Sequence, residues 1–310
     1  MRTGPDGRGT GRRRAARGAT GTGAARRGPA AGAKAFGRAD ERRGIDREDN
    51  PAAMNFFREG PTRVVGHRGA PRKAAENTIE SFDRAEADGA DAVELDVRLT
   101  LDGEAVVHHD PEVALGGRSL PVAQLTMAEL AGAEVIRGEF RGRIPTLREV
   151  LMRYASSGRF LVELKQGPSP RPGLLEFRVA ALLSQLHLLD RCAVLSFSAD
   201  MLRRIKEAEP RVETCLNFDG STYRPTGRFW PDRPRGCDAI GPNVQLVTAR
   251  LMAEAREAGL SVHVWTVNDP DGARQMTAWG AASVITDDPA LVGPAVRAVT
   301  GRASPIELVR

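Results

Sequence analysis

DAVELDVRLTLDGEAVVHHD, residues 91 to 110, decides the fold. Two runs of strand-forming residues, DAVELDV and EAVVHHD, flank Leu-Thr-Leu-Asp102-Gly103, and an Asp-Gly pair in that setting is the strongest short signal for a β-hairpin. The second run should therefore return antiparallel to the first. From residue 62 the chain alternates β-branched runs with segments of helical period, the pattern of parallel βαβ units. Candidate strands are TRVVG, DAVELDV, EAVVHHD, RFLVELK, CAVLSFS, VETCLNF, CDAIGPN, SVHVWTVN and ASVITD, nine in all, one more than a (β/α)8 barrel needs. Setting EAVVHHD aside as the return strand leaves eight, and the expected fold is a TIM (β/α)8 barrel with a β-hairpin after strand 2.

Helical segments are expected at ENTIESFDRAEADG, PTLREVLMRYASSG, LLEFRVAALLSQLH, ADMLRRIKEAEP, TARLMAEAREAG and DPDGARQMTAWG, several closed by glycine. The net charge of +5 is uneven: residues 1 to 53 hold 13 Arg/Lys against 6 Asp/Glu, and the remainder is nearly balanced. That stretch is built from Gly, Ala and Arg and cannot bury enough apolar surface to offset its ordering entropy. Residues 1–55 are expected to be a disordered tail and residues 60–300 the barrel, with Met54 as an alternative start of translation. Such arginine clusters can hold nucleic acid or anionic lipid without specificity. The tail is read as a solvated extension with no specific nucleic-acid partner. No apolar run suits a secretion signal or a membrane span, so a cytoplasmic location is the default expectation. Cys192, Cys215 and Cys237 have neither metal-ligand nor disulfide spacing and read as small buried hydrophobes.

In a βα barrel the working side chains lie at the C-terminal strand ends and in the loops that follow. His67 and Arg68 hold that position on the first strand. Glu94 and Asp96 are two apart on the second, so both carboxylates share a face, and the next parallel strand repeats the spacing with Glu163 and Lys165. Three carboxylates in one mouth would raise each other's pKa unless cations sat among them, and a hard divalent ion with oxygen ligands answers that need. If Asp102 and Gly103 are the two turn residues, Asp96 lies opposite His109, and His108 falls on the other face; a slip of one register exchanges them. Two imidazoles, an arginine, a lysine and a metal suit phosphoryl transfer, and no nucleophile motif, P-loop or dinucleotide fingerprint competes.

The stretch from Gly66 to Glu112, GHRGAPRKAAENTIESFDRAEADGADAVELDVRLTLDGEAVVHHDPE, resembles the signature of the glycerophosphodiester phosphodiesterase family, and IPTLREVL, FLVELK, LSFS, VWTVN and ITDDP follow in the family's order. The resemblance spans about residues 62 to 293. It implies a TIM barrel that hydrolyses glycerophosphodiesters to an alcohol and sn-glycerol 3-phosphate with a divalent cation, Ca²⁺ or Mg²⁺. It also implies His67 and His109 as the acid–base pair; we read His67 as the base and His109 as the acid, an order that the sequence does not fix because it cannot orient the substrate. Arg68, Lys165 and Trp265 would bind substrate, and Glu94, Asp96 and Glu163 the metal. A lysophospholipase D acting on lysolipids, or a barrel that binds such diesters without turnover, are the alternatives.

Where the family usually has Pro-Glu-Asn-Thr, this chain has Ala75-Glu76-Asn77-Thr78, with Glu76 read either as part of a hydrogen-bond network at the site or as a helix cap. EVALGGRSLPVAQLT, 112 to 126, replaces the polar run that often follows the HD motif, which bears on contacts to the alcohol. Phe197 and Asn268 match positions that line or support the mouth, and Asp287 is read as a helix cap or a ligand. His263 is read as an interior histidine and His187 as a helix-surface or packing residue. Residues 218 to 236, with Tyr223, Phe229 and Trp230 among Arg224, Arg228 and Arg233, are read as a lid or as a surface loop.

Overall fold

The computed structural model describes residues 57, 60–167, 171–222 and 236–301; the tail and residues Tyr223 to Arg235, which carry the lid reading, lie outside them. All nine expected strands form. Eight are parallel: β1 (Arg63–Gly66), β2 (Ala92–Leu99), β8 (Phe160–Leu164), β9 (Cys192–Ser196), β10 (Glu213–Phe218), β11 (Ala239–Pro242), β12 (Ser261–Val264) and β13 (Ser283–Thr286). Each bonds to the next in that order, and β1 bonds to both β2 and β13, so the sheet closes into a barrel with no free edge.

The helices pack outside the barrel, and their starts are legible in the chain. Thr78 caps α1 (Ile79–Ala87) by accepting the Ser81 N–H, and Thr146 forms a reciprocal capping box with Glu149 at α3 (Leu147–Arg153). Apolar residues of these helices meet the outer face of the strands; Phe82, Leu147, Leu151 and Leu183 are fully buried there. A smaller apolar cluster, with Phe57, Val65, Leu161, Leu195 and Ile285, fills the barrel interior. Cys192 and Cys215 are buried, Cys237 is half-buried, and all three are free thiols. Among the described residues no helix is long and apolar enough to cross a membrane.

The segment between β2 and β8 holds more structure than its sequence announced. β3 (Ala105–Val107) is the antiparallel return strand, followed by two further hairpins, β4 (Glu112–Leu115) with β5 (Arg118–Pro121) and β6 (Glu134–Arg137) with β7 (Phe140–Arg143). Gly116 and Gly117, both with positive φ, make the first turn, a Gly-Gly signal between strands that were too short to stand out.

The β2–β3 register differs from the expected one. Val97 lies opposite Val107 and Leu99 opposite Ala105, a slip of one residue. The turn contains three residues, Leu101, Asp102 and Gly103, closed by Thr100 N–H to Glu104 O at 3.0 Å and Gly103 N–H to Thr100 O at 3.0 Å. Thr100 favours this longer turn, because its hydroxyl accepts the Glu104 N–H at 2.8 Å and donates to Asp102 at 2.5 Å. Gly103 takes up the left-handed conformation that completes the turn, with φ of 83°. Gly103→Ala should therefore destabilise the fold by about 1–2 kcal/mol in urea denaturation, through backbone strain together with a tight 3.3 Å approach of the new Cβ to Leu174 Cδ2.

Candidate active site

The inward face of β2 brings Glu94 and Asp96 to the C-terminal mouth, and the parallel register sets Asp96 beside Glu163 of β8. All three are buried, and each offers an oxygen within 4.8 Å of the others. Cationic and amide groups hold them apart. Lys165 Nζ bridges Asp96 Oδ1 at 2.9 Å and Glu163 Oε1 at 2.6 Å. Arg68 Nε lies 3.2 Å from Asp96 Oδ2, and the Arg68 backbone N–H donates to Glu94 Oε2 at 3.0 Å. Asn77 donates its amide to Asp96 at 2.8 Å, and Asn217 donates to Glu163 at 3.2 Å. Asn217 fits only because its neighbour on β11 is Gly241, where a Cβ would stand 2.0 Å from the Asn217 amide oxygen.

The shared charge sets the titration of the cluster. Burial and then the Asp96 charge push Glu94 up to about 8. Glu163 is raised by the same two causes. Asp96, although fully desolvated, is held well below the usual carboxylate range by Lys165 and Arg68. Burial works against the charge on Lys165, but Asp96 and Glu163 outweigh it and raise its pKa.

His67 follows β1, and its Nδ1 donates to Asp287 Oδ1 at 2.6 Å, which leaves Nε2 as the acceptor. Burial lowers its pKa, but the Asp287 hydrogen bond and the Glu94 charge outweigh that, and the net direction is upward. Asp287 is in turn fixed by the Asn268 amide at 2.6 Å, with its own N–H given to Asn268 Oδ1 at 2.9 Å. The cap of the last helix, α8 (Pro289–Thr300), is Asp288, not Asp287.

The slipped hairpin register sets His108, not His109, beside Asp96: the His108 N–H donates to the Asp96 carbonyl at 2.9 Å. The exchange of roles that a slip would bring does not follow. β3 ends at Val107 and the chain bends, so strict alternation stops before either histidine. His108 Nε2 donates to the Glu112 carbonyl at 3.1 Å. His109 faces the charged mouth: burial lowers its pKa, and Asp96, Lys165 and Arg68 are the next influences on it. Its Nδ1 donates to Asp110 at 2.7 Å, and Arg98 grips its carbonyl oxygen through Nε at 2.9 Å and Nη2 at 2.6 Å.

Around this centre Glu76 accepts from Arg68 at 3.1 Å and from Arg137 at 2.7 Å, so it belongs to the network, and Thr78 is the helix cap. Trp265 is half-buried, donates its indole N–H to Gly241 O at 2.7 Å and meets Phe197 edge-on at 5.6 Å. His263 stands on β12 level with Ser283, the first residue of β13, and packs against Phe57 at the opposite end of the barrel from the mouth. His187 is exposed at the end of α4 (Leu174–Gln185). Sequence reasoning missed Arg98, Asn217 and Arg137 and gave Asn77 no part. Arg98 alone carried a plain signal, since it continues the inward alternation of Glu94 and Asp96.

Glu94 titrates near 4.5 in the unfolded chain and near 8 when folded, so the folded state binds the extra proton in that window. Metal-free stability should therefore fall as pH rises from about 4.5 to about 8. Thermal melts in EDTA should show this decline, a divalent cation should reverse it, and Glu94→Gln should flatten it and abolish the cation's effect.

Bacillus subtilis (strain 168) YhdW is 34% identical over 240 residues, covering 73% of this chain and 94% of that protein. The glycerophosphodiester phosphodiesterase of Caldanaerobacter subterraneus subsp. tengcongensis is 33% identical over 237 residues, covering 74% of this chain and 95% of its own. A crystal structure from Silicibacter pomeroyi DSS-3 superposes with a TM-score of 0.72 at 27% identity, over 80% of this chain and 98% of that one. The model of the glycerophosphoryl diester phosphodiesterase family matches residues 67–291, from the first histidine of the mouth to beyond its Asp287 partner, and the chain belongs to that family.

Proposed function

We propose that the barrel mouth hydrolyses glycerophosphodiesters to an alcohol and sn-glycerol 3-phosphate, with His67 and His109 as acid–base pair and a divalent cation on Glu94, Asp96 and Glu163. The supporting observation is their convergence: two histidines, each oriented by a carboxylate, share the mouth with three buried carboxylates, Arg68 and Lys165, in a chain of this family. The donor set fits a hard ion such as Ca²⁺ or Mg²⁺: all oxygen, buried, and carrying at Glu94 a carboxyl that resists ionisation until positive charge arrives. When bound, such a cation supplies neutralisation of charge on the phosphoryl oxygens.

The chain's own residues do the rest. Arg68 and Lys165 present guanidinium and ammonium groups to the phosphate oxygens, and Trp265 offers an apolar wall beside them. His67 is the base. Asp287 fixes its tautomer with Nε2 free to take a proton from the attacking oxygen, either water or the glycerol 2-hydroxyl, the latter giving a cyclic phosphate that water then opens to glycerol 3-phosphate, and it steadies the imidazolium that results. His109 donates a proton to the departing alcohol oxygen.

The test is release of glycerol 3-phosphate from a panel of head-group diesters, with EDTA and with Ca²⁺ or Mg²⁺ restored. Activity should vanish in EDTA and return with metal, and His67→Ala should lose about 10²–10⁴-fold in rate. Full activity in EDTA or in His67→Ala would overturn the mechanism. Asp287→Asn separates the two proton roles. Because Asp287 raises the His67 pKa, its loss should move the acid limb of the pH–rate profile to lower pH. Movement of the alkaline limb instead would make His67 the acid.

A further inference from the structure

Each histidine of the mouth has a carboxylate on its Nδ1, but the two carboxylates do different work. Asp287 is 220 residues from His67 and follows β13, so it ties the ring to a second strand of the barrel. Asp110 is the chain neighbour of His109 and is exposed, so it orients the ring against its own backbone and moves wherever that backbone moves. The β2–β3 ladder stops short of His109. β3 ends at Val107, and the last bond to β2 runs from the His108 N–H to the Asp96 carbonyl at 2.9 Å.

Arg98 attaches the bend to the barrel. Its Nε and Nη2 both donate to the His109 carbonyl, at 2.9 and 2.6 Å, and its Nη1 donates to the Gln166 carbonyl at 3.1 Å. Gln166 is the residue after Lys165, so one guanidinium joins β2, the bend that carries His109 and the exit of β8 that carries Lys165. Asp96, Asp110 and Glu163 lie near enough to favour its charge, which keeps the half-buried cation in place. A lysine there would keep the charge but lose the rigid fork that reaches two carbonyls at once.

We infer that Arg98 is a positioning residue: it holds His109 at a fixed offset from Lys165, and so aligns the proton for the departing alcohol with the phosphate, a role that rests on the proposed reading of His109 as the acid. The alignment comes from β2, the strand that also carries Glu94 and Asp96.

The test uses leaving-group strength, because a poor leaving group needs the acid and a good one does not. The ethyl and 4-nitrophenyl diesters of glycerol 3-phosphate are compared with metal present, and kcat/KM is taken for release of the ethanol or nitrophenol. Arg98→Lys should lose about 10²-fold on the ethyl diester, as expected of a displaced catalytic group, and only a small fraction of that on the nitrophenyl diester. His109→Ala should show the same split. Equal losses on the two diesters, wild-type activity of Arg98→Lys on the ethyl diester, or a split that His109→Ala does not share would each overturn the positioning role. Hydrogen exchange in EDTA reads the attachment without turnover: the amides of His108 to Asp110 should exchange faster in Arg98→Lys while those of β8 keep their protection. If the wild-type chain cleaves neither diester, the hydrolytic reading fails by itself; faster exchange at the bend would still uphold the attachment, and unchanged exchange would overturn it.

Discussion

Three carboxylates brought together in a water-poor barrel mouth repel one another, and the site is organised around that conflict. Lys165 bridges two of them, Arg68 approaches Asp96 side-on, and two asparagine amides occupy further lone pairs. The result is an uneven cluster. Asp96 is firmly ionised, while Glu94, with less positive charge beside it, holds its proton to about 8. A buried polar cluster of this kind contributes little to stability. Fold and site meet at this point, because the alternation of two parallel strands sets the spacing of the carboxylates, and a glycine on a third makes room for Asn217.

Much of this was legible in the chain. The eight parallel strands could be found because βα alternation has a strong period, and the Asp-Gly turn separated the ninth from them. Glu94, Asp96, Glu163 and Lys165 followed from side-chain alternation alone. The two small hairpins after β3 were not legible: four-residue strands leave too short a pattern to count, although Gly116-Gly117 marked one of the turns. Asn217 was hidden for a different reason. Its contact spans 54 residues, and no local pattern in either strand announces the partner.

The histidine of the hairpin, His109, lies near the charges of the mouth by a path other than the expected one. A two-residue turn set His109 opposite Asp96; the actual turn has three residues and sets His108 there. His109 nonetheless lies among the site's charges because the strand stops at Val107 and the bend carries it inward, where Arg98 secures its carbonyl. The threonine at position 100 decided the turn, with a side-chain hydrogen bond that propensity rules count only weakly.

The His67–Asp287 pair joins residues 220 positions apart, one after the first strand of the barrel and one after the last. Neither element neighbours the other in the chain; they become adjacent only when β1 pairs with β13. A polypeptide emerging from the ribosome therefore has its arginine, its carboxylates and its hairpin histidine in hand long before His67 has its partner. The His67–Asp287 hydrogen bond is in this sense a late property of synthesis, formed when the final strand seals the cylinder, and a chain cut short before Asp287 is left without it.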